Sequence, residues 1–135
     1  MKAVLDTNVL ISGQFALGDN YEVAVTSLSW AELRFGASRP GISAQERALR
    51  LSRLQQLILA FGDGLPFDDN AATSYAVVTE LVLRAGRQVR GRAVDLLIAS
   101  IAHSHGAALV TANQDDFAPL APLMPIISPE PVAHA

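Results

Sequence analysis

Acidic and amide side chains stand at both ends of one stretch, residues 94–117, and their spacing suits chemistry at a shared site. Asp95 opens a helical pattern, and Asn113, Asp115 and Asp116 follow the next short apolar run. A helix of about a dozen residues is roughly 18 Å long, and the strand after it runs back along it. Helix starts and the C-terminal ends of parallel strands share one edge of a sheet. Asp95 and the other three side chains should therefore meet.

Two more acids should reach the same sheet edge. Asp6 follows the apolar run Lys2–Leu5, a predicted strand, and Glu32 lies early in a helix predicted at 28–37, after a strand predicted at 22–26. The neighbours of Glu32 are mostly apolar, which favours a half-buried side chain that points into a cleft. Helix capping explains any one of these acids, but several acidic segments at one edge repel each other unless a cation is bound. An all-oxygen site suits Mg²⁺ or Mn²⁺.

Alternating strands and helices must position these acids. The order predicts an α/β fold, a three-layer α/β/α sandwich with a mostly parallel sheet of four to five strands. The remaining predicted elements are helices at 9–11, 43–61, 70–85 and from 94, strands at 108–110 and 124–128, and an edge strand at 65–67. The predicted caps of the first four helices are Asn8, Ser27 or Ser29, Ser43 with Glu46, and Asp68 or Asp69.

Size and composition predict one domain at residues 1–128, followed by a proline-bearing flexible tail at 129–135. Half of the 135 residues are hydrophobic, cysteine is absent and the net charge is −3. No apolar run is long enough to cross a membrane, and Asp6 interrupts the N-terminal apolar run where a signal peptide would have none. These features favour a cytoplasmic protein without disulfides or thiolate metal sites. His103 and His105 lie two apart on a helix, so they cannot chelate one ion and are expected at the surface.

Four segments resemble the motifs of a known family. LDTNVLIS at 5–12, SWAELRFG at 29–36, VDLLIAS at 94–100 and LVTANQDDF at 109–117 are similar to the four motifs of PIN-domain ribonucleases, in order and over nearly the whole chain. The set most resembles the VapC-type toxins of bacterial toxin–antitoxin (VapBC) pairs. The resemblance implies that Asp6, Glu32 and Asp95 are catalytic, metal-binding acids. For the fourth acid we favour Asp116.

The last motif leaves alternatives for that fourth position. Many members of the family carry an aspartate where this chain has Asn113, so the amide there is expected to act as a neutral ligand or to position water. Asp115 is the third choice. Thr7 and Thr111 are expected to orient the scissile phosphate, with Asn8 in support.

The resemblance implies a metal-dependent endoribonuclease that uses Mg²⁺ or Mn²⁺ and acts as the toxin of a toxin–antitoxin pair. It also implies a homodimer and a small antitoxin partner, whose tail would lie between the helices at 28–37 and 43–61. Because the chain is acidic overall, RNA must meet a local basic patch. The candidates for RNA binding, crowded before Asp95, are Arg84, Arg87, Arg90 and Arg92.

Two other functions fit an α/β chain with acids at one edge. A catalytically inactive PIN-like module could bind RNA or serve as a scaffold, although carboxylates facing phosphate would not help it. A receiver-like phospho-acceptor domain resembles this pattern less, because such domains carry an acid pair after the first strand and a lysine after the last. Here Leu5 precedes Asp6, and the one lysine is Lys2.

Overall fold

The computed structural model describes residues 1–13, 17 and 20–129 of the chain. Its strands are β1 (Lys2–Leu5), β2 (Glu22–Ala24), β3 (Ala108–Val110) and β4 (Ile126–Ile127), and they form one parallel sheet in the order β2-β1-β3-β4. The helices are α1 (Thr7–Ser12), α2 (Ser27–Ser38), α3 (Ala44–Phe61), α4 (Asp69–Arg84), α5 (Ala93–Ser104) and α6 (Gln114–Phe117), with a 3-10 turn at Ala118–Leu120.

Alternation along the central strands divides the core between two faces of the sheet. Val4 and Leu109 point into a cluster with α4, α5 and the 3-10 turn, whereas Leu5 and Val110 point into a cluster with α1, α2 and α3. Successive side chains of a strand face opposite ways, so a central parallel sheet needs helices on both faces. The predicted three-layer α/β/α sandwich is confirmed.

The segment predicted as a fifth strand contributes one isolated bridge. Leu65 pairs with Thr26, donating to the Val25 carbonyl at 2.8 Å and accepting from the Ser27 amide at 3.0 Å. Pro66, next in the chain, has no N–H to continue a ladder. The bridge brings Gly64 so close to α2 that a Cβ built there would lie 2.5 Å from the Ser27 nitrogen.

Two of the predicted helix caps were wrong. Asp6 rather than Asn8 caps α1, and Thr26 rather than a serine caps α2, accepting from the Ser29 amide at 3.2 Å. The choices of Ser43 for α3, which accepts from the Glu46 amide, and of Asp68 for α4 were right. In both failures the residue that ends the preceding extended segment takes the cap, because its extended backbone directs its side chain at the free amides.

His103 differs from the predicted surface histidine. Its ring is half-buried between α4 and α5, with Nδ1 2.7 Å from the hydroxyl of buried Ser74, while His105 is exposed. The predicted flexible tail lies, apart from Pro129, outside the described residues. Among the helices of the described part, none combines the length and the apolar character that crossing a membrane requires.

Candidate active site at the C-terminal edge of the sheet

Asp6 is the buried centre of the acidic edge, with only 2% of its surface exposed. Its Oδ1 accepts from the Thr7 amide at 2.9 Å, and its Oδ2 accepts from the Thr111 hydroxyl at 2.9 Å. Its own amide donates to the Val110 carbonyl at 2.8 Å, which extends the pairing of β1 with β3 by one residue. The ends of the two central strands are therefore tied together at this carboxylate.

The pKa of Asp6 is raised above its usual value. Burial is the largest cause, and the negative charges of Asp95 and Glu32 raise the pKa further, against the lowering effect of the Thr111 hydroxyl and the Thr7 amide. A carboxylate that loses water and faces other carboxylates disfavours its charged form. The two hydrogen bonds therefore only partly offset the cost of a negative charge at this position.

Glu32 reaches the edge from α2 through a chain of hydroxyl groups. Thr7 donates to Oε1 of Glu32 at 2.6 Å, and the hydroxyl of buried Ser29 lies 2.8 Å from the Thr7 hydroxyl. Since Thr7 has one hydroxyl hydrogen and uses it on Glu32, Ser29 must be the donor to Thr7. The predicted half-burial of Glu32 was wrong, because the residue is exposed, but its side chain does line a cavity of about 310 Å³.

Asp95 enters from the first turn of α5 and is half-buried. Burial raises its pKa, the guanidinium of Arg92 lowers it, and the charge of Asp116 raises it. The helix start and the loop after β3 thus meet, as the spacing along the chain predicted. The charge of Asp116 acts on Asp95, and the charges of Asp95 and Glu32 act on Asp6.

The loop after β3 is held by backbone contacts and leaves its polar side chains exposed. The Asn113 amide donates to the Thr111 hydroxyl at 3.1 Å, and the Asp116 amide donates to the Asn113 carbonyl at 3.0 Å. Asn113, Asp115 and Asp116 line an open cavity of about 370 Å³, while Phe117 is buried in the core. Of the two aspartates, Asp116 is the one whose charge acts on Asp95.

The donor set fits a hard divalent cation by its chemistry. Within the ranges that the structure describes, no three acidic, histidine or cysteine side chains stand close enough together to hold an ion as they are. Mg²⁺ does not need such a cage, because it keeps several waters and uses one or two carboxylates. Desolvated acids that repel one another are stabilised by such a charge.

Comparisons with known proteins agree with this arrangement. The family model of the PIN domain matches residues 3–121. The chain belongs to the PIN-domain family. A search of curated proteins gave no match.

Solved structures of toxin–antitoxin systems share the fold. VapBC-5 of Mycobacterium tuberculosis, a member of the VapBC family, is 34% identical over 94% of this chain and 96% of its own, with a TM-score of 0.76. DNA-bound VapBC of Salmonella typhimurium is 27% identical over 95% of this chain and 98% of its own, with a TM-score of 0.71. VapBC2 of Rickettsia felis, 21% identical over 96% and 100% at a TM-score of 0.74, shares the fold. These structures support the predicted resemblance to VapC-type toxins.

The arginines before Asp95 differ in the contacts that they make in this PIN domain. Arg84 pairs with Glu80 on α4 at 2.6 Å, and Arg87 donates through Nη1 to the Asp115 carbonyl. Arg92 lies over the Phe117 ring, with its Cζ 5.3 Å from the ring centroid. Arg90 is exposed. Three of the four predicted RNA-binding candidates therefore have protein partners.

Sequence reasoning missed two contributors to the site. Ser29 was considered only as a cap, yet it supports the Thr7–Glu32 contact. Arg53 on α3 donates to the Leu10 and Ile11 carbonyls at the end of α1. Arg47, Arg50 and Arg53 form a stripe along α3 in the sequence, but the carbonyl groups that Arg53 reaches are 42 and 43 residues away in the chain.

Proposed function

We propose that this PIN domain is a metal-dependent endoribonuclease and the toxin of a toxin–antitoxin pair. One observation carries the proposal: the connected acids Asp116, Asp95, Asp6 and Glu32, two of them with raised pKa values, stand where a parallel sheet offers its ligand site. The charge of Arg92 opposes the repulsion among these acids, but the pKa of Asp95 is still raised, which favours the binding of an additional cation.

Asp6, Asp95, Glu32 and Asp116 are the residues that would hold Mg²⁺ or Mn²⁺. When bound there, such a cation supplies electrostatic activation of water and neutralises the charge that develops on the phosphodiester. The chain offers no cysteine nucleophile. Its own contribution is therefore to position the acids and to bind the RNA.

Four polar residues beside the acids can support the site by hydrogen bonding. The hydroxyls of Thr7 and Thr111 donate to Glu32 and Asp6, so they fix these carboxylates instead of donating to a scissile phosphate. Asn8 is exposed on the first turn of α1, and Asn113 is exposed in the loop after β3. Their amides are free to orient a phosphate or water beside the acids.

The cavity between α2 and α3 supports an antitoxin partner. Its apolar lining comes from Leu10, Ile11, Leu33, Leu54 and Leu57, and Glu32 joins this lining to the acidic edge. An antitoxin segment could fill the groove with an apolar side chain and place an arginine or lysine against Glu32. Exposed apolar residues elsewhere, such as Leu59 on α3 and Leu83 on α4, fit the homodimer that the family resemblance implies.

An RNA cleavage assay tests the proposal. Wild-type protein should cut RNA with Mg²⁺ or Mn²⁺ and lose the activity in EDTA, and Asp6→Asn should not cut. Asparagine can still cap α1, so this variant removes the charge while it preserves the fold. RNA binding without cleavage by the wild type, in either metal, would instead identify an inactive RNA-binding module.

A further inference from the structure

Two arginines of the loop between α4 and α5 hold the segment that bears the fourth acid. Arg87 donates through Nη1 to the Asp115 carbonyl, which also accepts from the Ala118 amide. Arg92, at the cap position of α5, lies 5.3 Å from the centroid of the buried Phe117 ring. A guanidinium group therefore contacts α6 near its start, at Asp115, and another contacts it at its end, at Phe117.

We infer that Arg92, which stands at the N-cap position of α5 and lies over the Phe117 ring, is a positioning residue that keeps Asp116 close to Asp95. Arg87 supports the same segment through its hydrogen bond to the Asp115 carbonyl. This inference rests on the proposed nuclease function. It differs from a role in RNA binding, because the arginine would act through the acids and not on the substrate.

The environment of Arg92 favours the internal role. The residue is half-buried, and its Nη2 atom is enclosed by protein without a hydrogen-bond partner among the described residues. This enclosed nitrogen is not available to a phosphate, which favours a contact inside the protein for that side of the guanidinium. The face of the Phe117 ring partly compensates the guanidinium for this missing hydrogen bond.

The electrostatics explain why such a tie is needed. The charge of Asp116 disfavours the charged form of Asp95. Besides the contacts of Arg87 and Arg92, α6 is held by the burial of Phe117 and by the Gln114 side chain, which donates to the Ile126 carbonyl at 3.1 Å. The positive charge of Arg92 acts on Asp95 of α5, and its guanidinium lies over the ring of Phe117, the residue after Asp116. Without it, the exposed loop would move away from Asp95 and the fourth acid would leave the site.

Hydrogen–deuterium exchange in EDTA tests this positioning without any catalysis. The amides of Asp116 and Ala118, which donate to the Asn113 and Asp115 carbonyls, are the reporters. Arg92→Gln should raise their exchange rates about fivefold, a typical value for a lost cation–π contact. The matched control is Arg90→Gln, in the same loop and exposed, which should leave both rates unchanged.

Two further variants distinguish the contact of Arg92 with the Phe117 ring from the effect of its positive charge. Arg92→Lys keeps the positive charge but loses the planar guanidinium over the Phe117 ring, so exchange should stay raised. Phe117→Leu should raise exchange as well, and adding Arg92→Gln to it should change little, since the two side chains act as one unit. Additive effects in this double-mutant cycle would overturn the inference.

Metal binding and cleavage complete the test. For Arg92→Gln we expect Mn²⁺ affinity measured by calorimetry and kcat for RNA cleavage each to fall about tenfold, with KM within about twofold. A raised KM with a reduced salt dependence and unchanged exchange would make Arg92 an RNA contact and overturn the inference. If the wild type cleaves no RNA but the exchange rates respond, the proposed function fails and the positioning stands. If the wild type cleaves and Arg92→Gln keeps the wild-type exchange rates, Mn²⁺ affinity and kcat, the positioning fails alone.

Discussion

Charged side chains have opposite surroundings in two regions of the molecule. One region is the acidic edge, formed by Asp6, Glu32, Asp95 and Asp116, and the other is the groove between α2 and α3. In the groove, Arg50 pairs with Glu46 at 2.9 Å and also donates to the Gly36 carbonyl, so the charges at its rim are satisfied within the protein. At the edge, Asp6 and Asp95 face other acids, and their pKa values are raised. The groove is therefore prepared for an apolar side chain, and the edge is prepared for a cation. Glu32 belongs to both regions.

The largest expected difference between the two regions is in cleavage. Asp95→Asn and Glu32→Gln should each reduce RNA cleavage more than about a hundredfold, because even outer partners of metal ligands are typically worth 10–100-fold. A groove variant, Ile11→Asp, should retain most of the activity. Initial rates on one RNA under matched Mg²⁺ measure all three. Full activity in both acid variants would end the assignment of the edge as the active site.

The next effect distinguishes the two aspartates of α6. Asp116→Asn should cost about tenfold or more in cleavage, and Asp115→Asn should cost much less, because only Asp116 acts electrostatically on Asp95. Both are exposed, so each variant serves as the folding control of the other. Calorimetric titration with Mn²⁺ should rank them in the same order as the cleavage rates. The opposite ranking would assign the fourth position to Asp115.

A smaller effect concerns the partner of the groove. Ile11 is 53% exposed and lines the groove, so Ile11→Asp should weaken binding of the proposed antitoxin by roughly tenfold while the protein stays folded. Leu49→Asp is the matched control, because Leu49 is 61% exposed on α3 and outside the groove lining. Isothermal titration of each variant measures the change. Equal losses in both would place the partner elsewhere.

The smallest effect is on stability. Asp95→Asn should raise the Tm in EDTA by a few degrees, since it removes repulsion among the acids. The loss of a favourable charge in the first turn of α5 opposes this by about 0.3–1 kcal/mol. A lower Tm for the variant would mean that the helix dipole outweighs the repulsion.

The pH dependence sharpens that measurement. Because the folded-state pKa values of Asp6 and Asp95 lie above the unfolded value, the native state binds more protons in the window between them. The free energy of unfolding of the metal-free protein therefore falls as pH rises through this window. The advantage of Asp95→Asn should be larger at about pH 7.5 than at about pH 4, as measured by urea unfolding. Saturating Mg²⁺ should reverse the order in favour of the wild type.

The sequence predicted what the backbone itself positions. Asp6 follows a strand and Asp95 opens a helix, so the α/β order alone places both at one edge. The cap of α2 was not predictable, because Thr26, Ser27 and Ser29 can all cap and the choice depends on the pairing of Thr26 with Leu65. The exposure of Glu32 was missed because apolar neighbours do not determine which face of a helix is covered.

The contacts of the arginines depend on tertiary structure. A cluster of basic residues before Asp95 suggested a surface for RNA, as such clusters often do. Which of these arginines contact the protein depends on where Phe117 and the Asp115 carbonyl lie. Both come after an intervening helix and strand in the chain. Arg84 was the exception, since Glu80 lies one helical turn before it and this pair is a local feature.

The close approach of Gly64 to the start of α2 bears on how this protein tolerates change. The turn looks like an ordinary surface connection, but a single methyl group there would press on the backbone of Ser27 and displace the first turn of α2. That helix carries both Ser29 and Glu32. A survey of substitutions along the chain would therefore find Gly64, outside both regions, to be a position where even alanine disturbs the helix that carries Glu32.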